Sequence, residues 1–257
     1  MKNIQSKPLI IGHRGASAHA PENTLASFRQ ALTFGADGVE LDAKLTSNGE
    51  VVVIHDQTVN RTTNGEGVVR ELTLAQIKKM DAGAKFDPKF KGEPIPTLEE
   101  VFQAVGGKLL INVELTNYSS PSDELPEKVA ELVKKYSLQK GVIFSSFHPK
   151  TLKRIRKLLP EVPTGVLALS GIAGLISRGW IGRVWAPDLV HPYFSDVNSA
   201  FVKRQHRLQR GVNVWTVDDA AIMQAMIRMD VDGIITDDVV TALEIRAKEF
   251  VQRKKSI

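Results

Sequence analysis

Six side chains stand out by type and spacing: His13, Arg14, Glu40, Asp42, His55 and Glu114. Three carboxylates can hold a divalent cation, an adjacent arginine can hold a phosphoryl oxygen, and two imidazoles can move protons near neutrality. In Gly38-Val-Glu-Leu-Asp-Ala-Lys44, residues two apart face the same side of a strand, so Glu40 and Asp42 point one way and Val39 and Leu41 the other. Such a pair repels unless a cation lies between its members. Solvated charges on an edge strand are the plainer alternative, but the apolar flanks argue against it, because an ionised carboxylate turned into an interior needs a partner. Glu114 near the end of Lys108-Leu-Leu-Ile-Asn-Val-Glu-Leu115 adds the third oxygen ligand. An all-oxygen set suits Mg²⁺ or Ca²⁺, with Mn²⁺ also admitted, better than zinc. The Arg14 guanidinium donates two parallel hydrogen bonds that a lysine cannot reproduce. His13 and His55 read as an acid/base pair, whereas His19, His148, His191 and His206 read as structural or as metal ligands.

These groups need a scaffold that collects strand ends. Pro8-Leu-Ile-Ile-Gly-His-Arg-Gly15 is a short apolar run ending in glycine and polar groups, as a buried parallel strand does. A helix follows, with Asn23 as its cap and Leu25, Phe28 and Leu32 on one face, stopping before Gly35. The Glu40 strand and the stretch 50–55 are separated by Ser47-Asn48-Gly49, a tight hairpin-like turn. Residues 57–96 are rich in Gly, Asp, Lys and Pro, with one helix expected over 73–80, and read as an inserted lid or substrate-facing loop. Helices at 97–105, 124–136, 149–158, 197–209, 219–228 and 238–252 then alternate with strands at 108–115, 142–147, 164–169, 188–190, 212–217 and 233–236. About eight strands with intervening helices predict a (β/α)₈ TIM barrel carrying an insertion at 57–96. An open doubly wound sheet is disfavoured, since no Gly-x-Gly-x-x-Gly follows the first strand.

The 257 residues, 42% hydrophobic and without a Pro/Gly/Ser-rich linker, predict one domain over 1–257. The absence of cysteine excludes disulfides, thiolate metal sites and cysteine nucleophiles. Lysine and arginine are dispersed despite the net charge of +5, and aromatics are only 6%, which argues against a nucleic-acid partner. The basic stretch from Arg246 to Lys255, interleaved with Glu249, reads as a solvated helix face. Without a signal-like segment or a run that could span a bilayer, a cytoplasmic protein is expected.

The motifs Gly12-His-Arg-Gly15, Pro21-Glu-Asn-Thr24, Gly38-Val-Glu-Leu-Asp42, His55-Asp56, Val113-Glu114, Asn213-Val-Trp-Thr216 and Gly233-Ile-Ile-Thr-Asp237 together resemble the glycerophosphodiester phosphodiesterase family, from residue 8 to about 240. The resemblance implies a TIM barrel, one divalent cation on Glu40, Asp42 and Glu114, and His13 and His55 as acid and base. It further implies attack on phosphorus by the neighbouring glycerol hydroxyl and a cyclic phosphate that water opens later. Its substrate would be a small glycerophosphodiester, split into sn-glycerol 3-phosphate and an alcohol. Many family members carry a lysine two residues after the third carboxylate; here Leu115, Thr116 and Asn117 follow Glu114, which leaves Arg14 and the cation to carry the phosphate charge.

Trp215 ends a strand and reads either as a lining of the glycerol or alcohol pocket or as a barrel-core tryptophan. The segment 171–185 combines Trp180, Trp185, branched aliphatics, Arg178 and Arg183. It reads either as an inward-packed barrel helix or as a lip making weak membrane-surface or lysolipid contact. The second reading would make the chain a lysophospholipase D. A barrel that only binds phosphorylated ligands is the remaining alternative, and the joint presence of both histidines and all three carboxylates argues against it.

Overall fold

The computed structural model describes residues 7–172, 174 and 187–255. Its strands are β1 (Leu9–Gly12), β2 (Gly38–Leu45), β3 (Val51–Val53), β4 (Leu110–Leu115), β5 (Val142–Ser146), β6 (Thr164–Ala168), β7 (Leu189–Pro192), β8 (Gly211–Val214) and β9 (Gly233–Thr236). The described α-helices are α1 (Leu25–Phe34), α2 (Leu74–Ile77), α3 (Leu98–Val105), α4 (Leu125–Lys135), α5 (Pro149–Leu158), α6 (Ser199–Arg207), α7 (Ala220–Arg228) and α8 (Val239–Lys255). Every strand except β3 pairs in parallel, in the order β1-β9-β8-β7-β6-β5-β4-β2. Because β1 also pairs with β2, Ile11 opposite Gly38, the sheet closes on itself. The result is the eight-stranded TIM barrel that the alternation predicts. Its staves are buried along most of their length, as strands covered by helices on one face and by one another's side chains on the other must be.

The stretch 50–55 differs from its neighbours. β3 is not a stave: it returns antiparallel along the far end of β2, with Ala43 opposite Val53 and Leu45 opposite Val51. Gly49, at φ 77°, completes the tight turn that reverses the chain. Ile54 N then donates to Asp42 O at 2.9 Å. The hairpin thereby delivers His55 to the barrel mouth beside the Glu40-x-Asp42 pair, although no barrel strand ends there.

The insertion has a small core of its own. Val59, Val69, Ile77, Ala82 and Ile95 pack with Val52 and Ile54, and Leu72, Leu74 and Met80 close over them. Within it the helix is shorter than 73–80. Thr73 and Gln76 form a reciprocal capping box at its start, but α2 ends at Ile77. Just beyond, the Asp81 carboxylate accepts from the backbone amides of Gly83, Ala84 and Gly92, a local alternative to helical hydrogen bonding.

α8 closes the barrel from outside. Arg246 donates to Asp37 and to the Pro8 carbonyl, and Asp37 also accepts from Ile10 N. The basic C-terminal stretch carries ion pairs within the chain: Glu249 accepts from Arg228 and Gln224, and Arg253 pairs with Asp230. No described helix is long and apolar enough to cross a membrane.

His191 on β7 has no solvent exposure, and a methyl group at Gly165 on β6 would stand 2.5 Å from its Nε2. Burial lowers its pKa from 6.5 to about 4. A folded pKa below the unfolded one means stability that is present above about pH 6.5 and is lost as pH falls towards 4. The predicted loss is on the order of 3 kcal/mol. Urea melts of wild type and His191→Asn between pH 7 and 4 check this: the variant loses less stability over that interval, and parallel acid limbs would remove His191 as the cause.

Candidate active site

The site is built at the C-terminal ends of the strands, where β1 runs into a strained turn. Arg14 has φ 53° and Gly15 φ 89°, and a Cβ at Gly15 would stand 2.2 Å from Ser27 Oγ. A left-handed non-glycine residue costs about 1–3 kcal/mol and persists only where its surroundings hold it. Here Arg14 N donates to Glu40 Oε2 at 3.1 Å, while Arg14 O accepts from Asn23 N at 2.9 Å and Ser27 Oγ at 3.0 Å. The turn folds the guanidinium back over the carboxylates: Nη1 donates to Glu22 Oε1 at 2.8 Å, and Nε lies 3.5 Å from Asp42 Oδ2.

Beneath it Glu40, Asp42 and Glu114 converge, each offering an oxygen within 4.8 Å of the others. The register that sets Asp42 opposite Glu114 across β2 and β4 makes this possible. Burial and the neighbouring carboxylates Asp42 and Glu114 push Glu40 well above the usual carboxylate range, and burial together with Asp42 pushes Glu114 up to about 8. Three inward carboxylates, two of which resist ionisation, with oxygen as the only donor element, fit a hard divalent cation. Tyr118 donates to Glu114 Oε1 at 2.5 Å. Asn23, expected as a helix cap, does something else. It sits at φ 57°, donates from Nδ2 to Asp42 Oδ2 at 2.9 Å and accepts from Asp42 N at 3.3 Å, while Thr24 caps α1. An amide that both donates and accepts serves a carboxylate strand better than a hydroxyl, and asparagine tolerates the left-handed backbone.

Both histidines flank this triad, and a carboxylate backs each. His13 Nδ1 lies 2.7 Å from Asp237 Oδ1, and Ser17 Oγ donates to the same oxygen at 2.8 Å. His55 Nδ1 lies 2.7 Å from Asp56 Oδ1. Despite partial burial, hydrogen bonding from His13 holds Asp237 below its ordinary pKa, and hydrogen bonding from Arg61 does the same for Asp56. Ionised carboxylates only accept, so Nδ1 carries the proton on each ring and Nε2 is the atom left for substrate. Arg61, from the insertion, bridges Asp56 and Glu22 with four hydrogen bonds of 2.7–3.1 Å.

A cleft of about 280 Å³ opens here between His13, Arg14 and Asp237 on the barrel and Arg61, Lys85 and Phe86 on the insertion. The rim beyond Tyr118 is aromatic: Phe147 packs edge-on against Tyr118 and Trp215, and Trp215 against Tyr193. Trp215 Nε1 donates to His191 O at 2.7 Å, which fixes the indole in the rim, half-buried. Arg14, both histidines, the three carboxylates and Trp215 thus meet at one mouth. Residues 173 and 175–186 lie outside the described residues, and with them Trp180, Trp185 and most of the segment read as a lip. The sequence alone assigns no site role to Glu22, Arg61, Tyr118 or Asp237, and reads Asn23 only as a cap. All but Arg61 and Tyr118 stand inside motifs quoted above, so their signal was available without a partner to explain it.

The family model for the glycerophosphoryl diester phosphodiesterase family matches residues 13–241, which begins at His13 and extends just past Asp237. The chain belongs to the glycerophosphoryl diester phosphodiesterase family. It is 42% identical over 243 residues to a glycerophosphodiester phosphodiesterase of Caldanaerobacter subterraneus subsp. tengcongensis, covering 94% of this chain and 99% of that one. Among solved structures it is similar to an Oleispira antarctica phosphodiesterase in complex with the product sn-glycerol-3-phosphate, at TM-score 0.86 and 28% identity over 93% of this chain and 96% of that one. The glycerophosphodiester phosphodiesterase of Thermotoga maritima gives TM-score 0.75 and 29% identity over 94% and 100%.

The raised carboxyl pKa values give a test of the triad as a cation site. Protons held by Glu40 and Glu114 must leave when a cation binds, so affinity for Mg²⁺ or Ca²⁺ rises with pH and is still rising at about 8, where Glu114 ionises. Calorimetric titration in buffers of different ionisation enthalpy reads the released protons directly. Affinity independent of pH, or equal affinity in Glu114→Gln, would remove the triad as the site.

Proposed function

We propose that the chain hydrolyses glycerophosphodiesters to sn-glycerol 3-phosphate and an alcohol, with one divalent cation on Glu40, Asp42 and Glu114 and with His13 and His55 as acid and base. The reaction class comes with the family; the roles of these residues follow from their chemistry and from the resemblance, and are the proposal. The observation that carries it is the pair of carboxylate-backed histidines, each with Nε2 free, on either side of a single carboxylate triad. When bound, the cation would polarise a phosphoryl oxygen and neutralise part of the charge that develops on phosphorus.

The chain's own groups account for the rest. Arg14, pre-oriented by Glu22 and Asp42, presents its fork to a phosphoryl oxygen. One histidine takes the proton of the attacking glycerol hydroxyl at Nε2, and the other gives its proton to the departing oxygen. For the later opening of the cyclic phosphate by water the two exchange roles, as reversal of proton flow requires. Asp237 and Asp56 keep each ring in the tautomer that leaves Nε2 to work. The insertion, through Arg61, Lys85 and Phe86, roofs the cleft and belongs to the same catalytic unit. A lysophospholipid substrate has its support in the Trp180 segment, and no described residue adds to it.

Assay of glycerophosphocholine, glycerophosphoethanolamine and lysophosphatidylcholine, with and without added divalent cation, tests the reading. Release of sn-glycerol 3-phosphate from the acyl-free diesters, lost after chelation and restored by Mg²⁺, Ca²⁺ or Mn²⁺, is the expected result; full turnover in excess chelator would sink it. His13→Ala and His55→Ala each lower kcat by about 10²- to 10⁴-fold, the range for a lost general acid or base. Asp237→Asn and Asp56→Asn lower it by roughly 10- to 100-fold, as expected for a residue that only orients the ring. Wild-type kcat in either alanine variant would strip that histidine of its role.

A further inference from the structure

Lys44 is a buried cation that the roles above leave unused. It stands on the same face of β2 as Glu40 and Asp42, one rung nearer the mouth, and is 5% exposed. Its ammonium donates to Thr116 Oγ1 at 2.8 Å and to Thr116 O at 3.2 Å. Both acceptors are neutral oxygens, and an ammonium has three N–H groups, so one donor remains. Asp42, Glu114 and Asp56 lie near enough to attract it. Burying a charge without a direct ionic partner is costly, and a chain keeps such a charge where something else meets it.

A second cavity, of about 210 Å³, opens beside Lys44 between β2, the end of β4 and the insertion, with Gln57, Arg70 and Ser119 along its wall. It is separate from the cleft lined by Arg14, and Lys44, two residues beyond Asp42 on the same face of β2, lines it. The plain role for Lys44 is to balance the charge left when three carboxylates share one divalent cation. A side chain doing only that would pair with a carboxylate oxygen, as Arg14 pairs with Asp42. Lys44 instead stands off on Thr116, with a donor unspent and a cavity beside it.

We propose that Lys44 is a second cationic substrate contact: its remaining N–H meets an oxygen of the phosphodiester while one arm of the diester occupies the cavity beside it. Arg14 then holds the phosphate from the β1 side and Lys44 from the side of β2 and β4. The proposal rests on the phosphodiesterase reading.

The test compares wild type, Lys44→Met, Lys44→Gln and the charge-transposed double variant Lys44→Met/Thr116→Lys. It reads kcat and KM on glycerophosphocholine at saturating Mg²⁺ or Ca²⁺, calorimetric affinity for that cation, calorimetric affinity for sn-glycerol 3-phosphate, and the melting temperature. Both single variants lower kcat/KM by about 10²-fold, comparable to loss of one charge-stabilising donor, and weaken product binding, while melting is unchanged or raised. Moving the ammonium across to position 116, whose side chain already touches it, recovers roughly tenfold of the loss, as a transferable charge should. Unchanged kcat/KM and product affinity in both single variants, whatever happens to cation affinity, would reduce Lys44 to balancing the triad and overturn the proposal. So would equal losses in the single and double variants. If wild type turns over no diester, the functional reading falls, and product affinity still decides whether Lys44 touches phosphate.

Discussion

Concentrated negative charge at the barrel mouth is the constraint around which the surrounding residues are arranged. Glu40 and Glu114, held beside Asp42 in a low-dielectric interior, resist ionisation, and polar groups around the three are placed to meet them. Asn23 and Tyr118 donate to two of them, and the Arg14 backbone amide donates to the third. Arg14 accepts a left-handed backbone, a conformation worth paying only because it brings both an amide and a guanidinium onto the carboxylates. Remove the carboxylates and none of these conformations has a reason.

Closure of the barrel converts sequence distance into contact. His13 and Asp237 are 224 residues apart, yet β1 pairs with β9 from Leu9 opposite Gly233 to Gly12 opposite Thr236, so the residues following the two strands must meet. The other histidine arrives by a local route, through a hairpin that pairs β3 back onto β2 and sets Ile54 against Asp42. One acid/base candidate therefore depends on global closure and the other on a turn of a few residues. Both end with Nδ1 on a carboxylate.

Much of this is legible in the amino-acid sequence. Strand and helix periodicity is dictated by burial on a two-sided parallel sheet, so the staves and their order followed from apolar runs such as 142–147 and 164–169. The triad was legible because a Glu-x-Asp spacing on a strand puts both groups on one face. The partners were not. Asn23 looks like an ordinary cap, and its bond to Asp42 appears only once α1 is docked on β2. Lys44 followed Asp42 by two residues and faced the same way by the same rule, but a lysine near a strand end is usually solvated, and only the packing of Thr116 against it shows that it is buried.

Arg61 shows how stability and function separate in such a site. Its side chain is 48% exposed, so its ion pairs with Asp56 and Glu22 are screened by water and contribute only about 0–1 kcal/mol each to folding. Their geometry matters more than their energy. Arg61 ties the carboxylate bonded to His55 to the carboxylate that holds Arg14, so the proposed proton-transfer group and the proposed phosphate-binding group share one fixed frame. A shift of the insertion by an ångström would reach both at once, and misplacement on that scale is enough to cost orders of magnitude in rate while leaving the barrel folded. On the proposed mechanism the insertion is therefore part of the catalytic geometry and not decoration on a barrel that is complete without it.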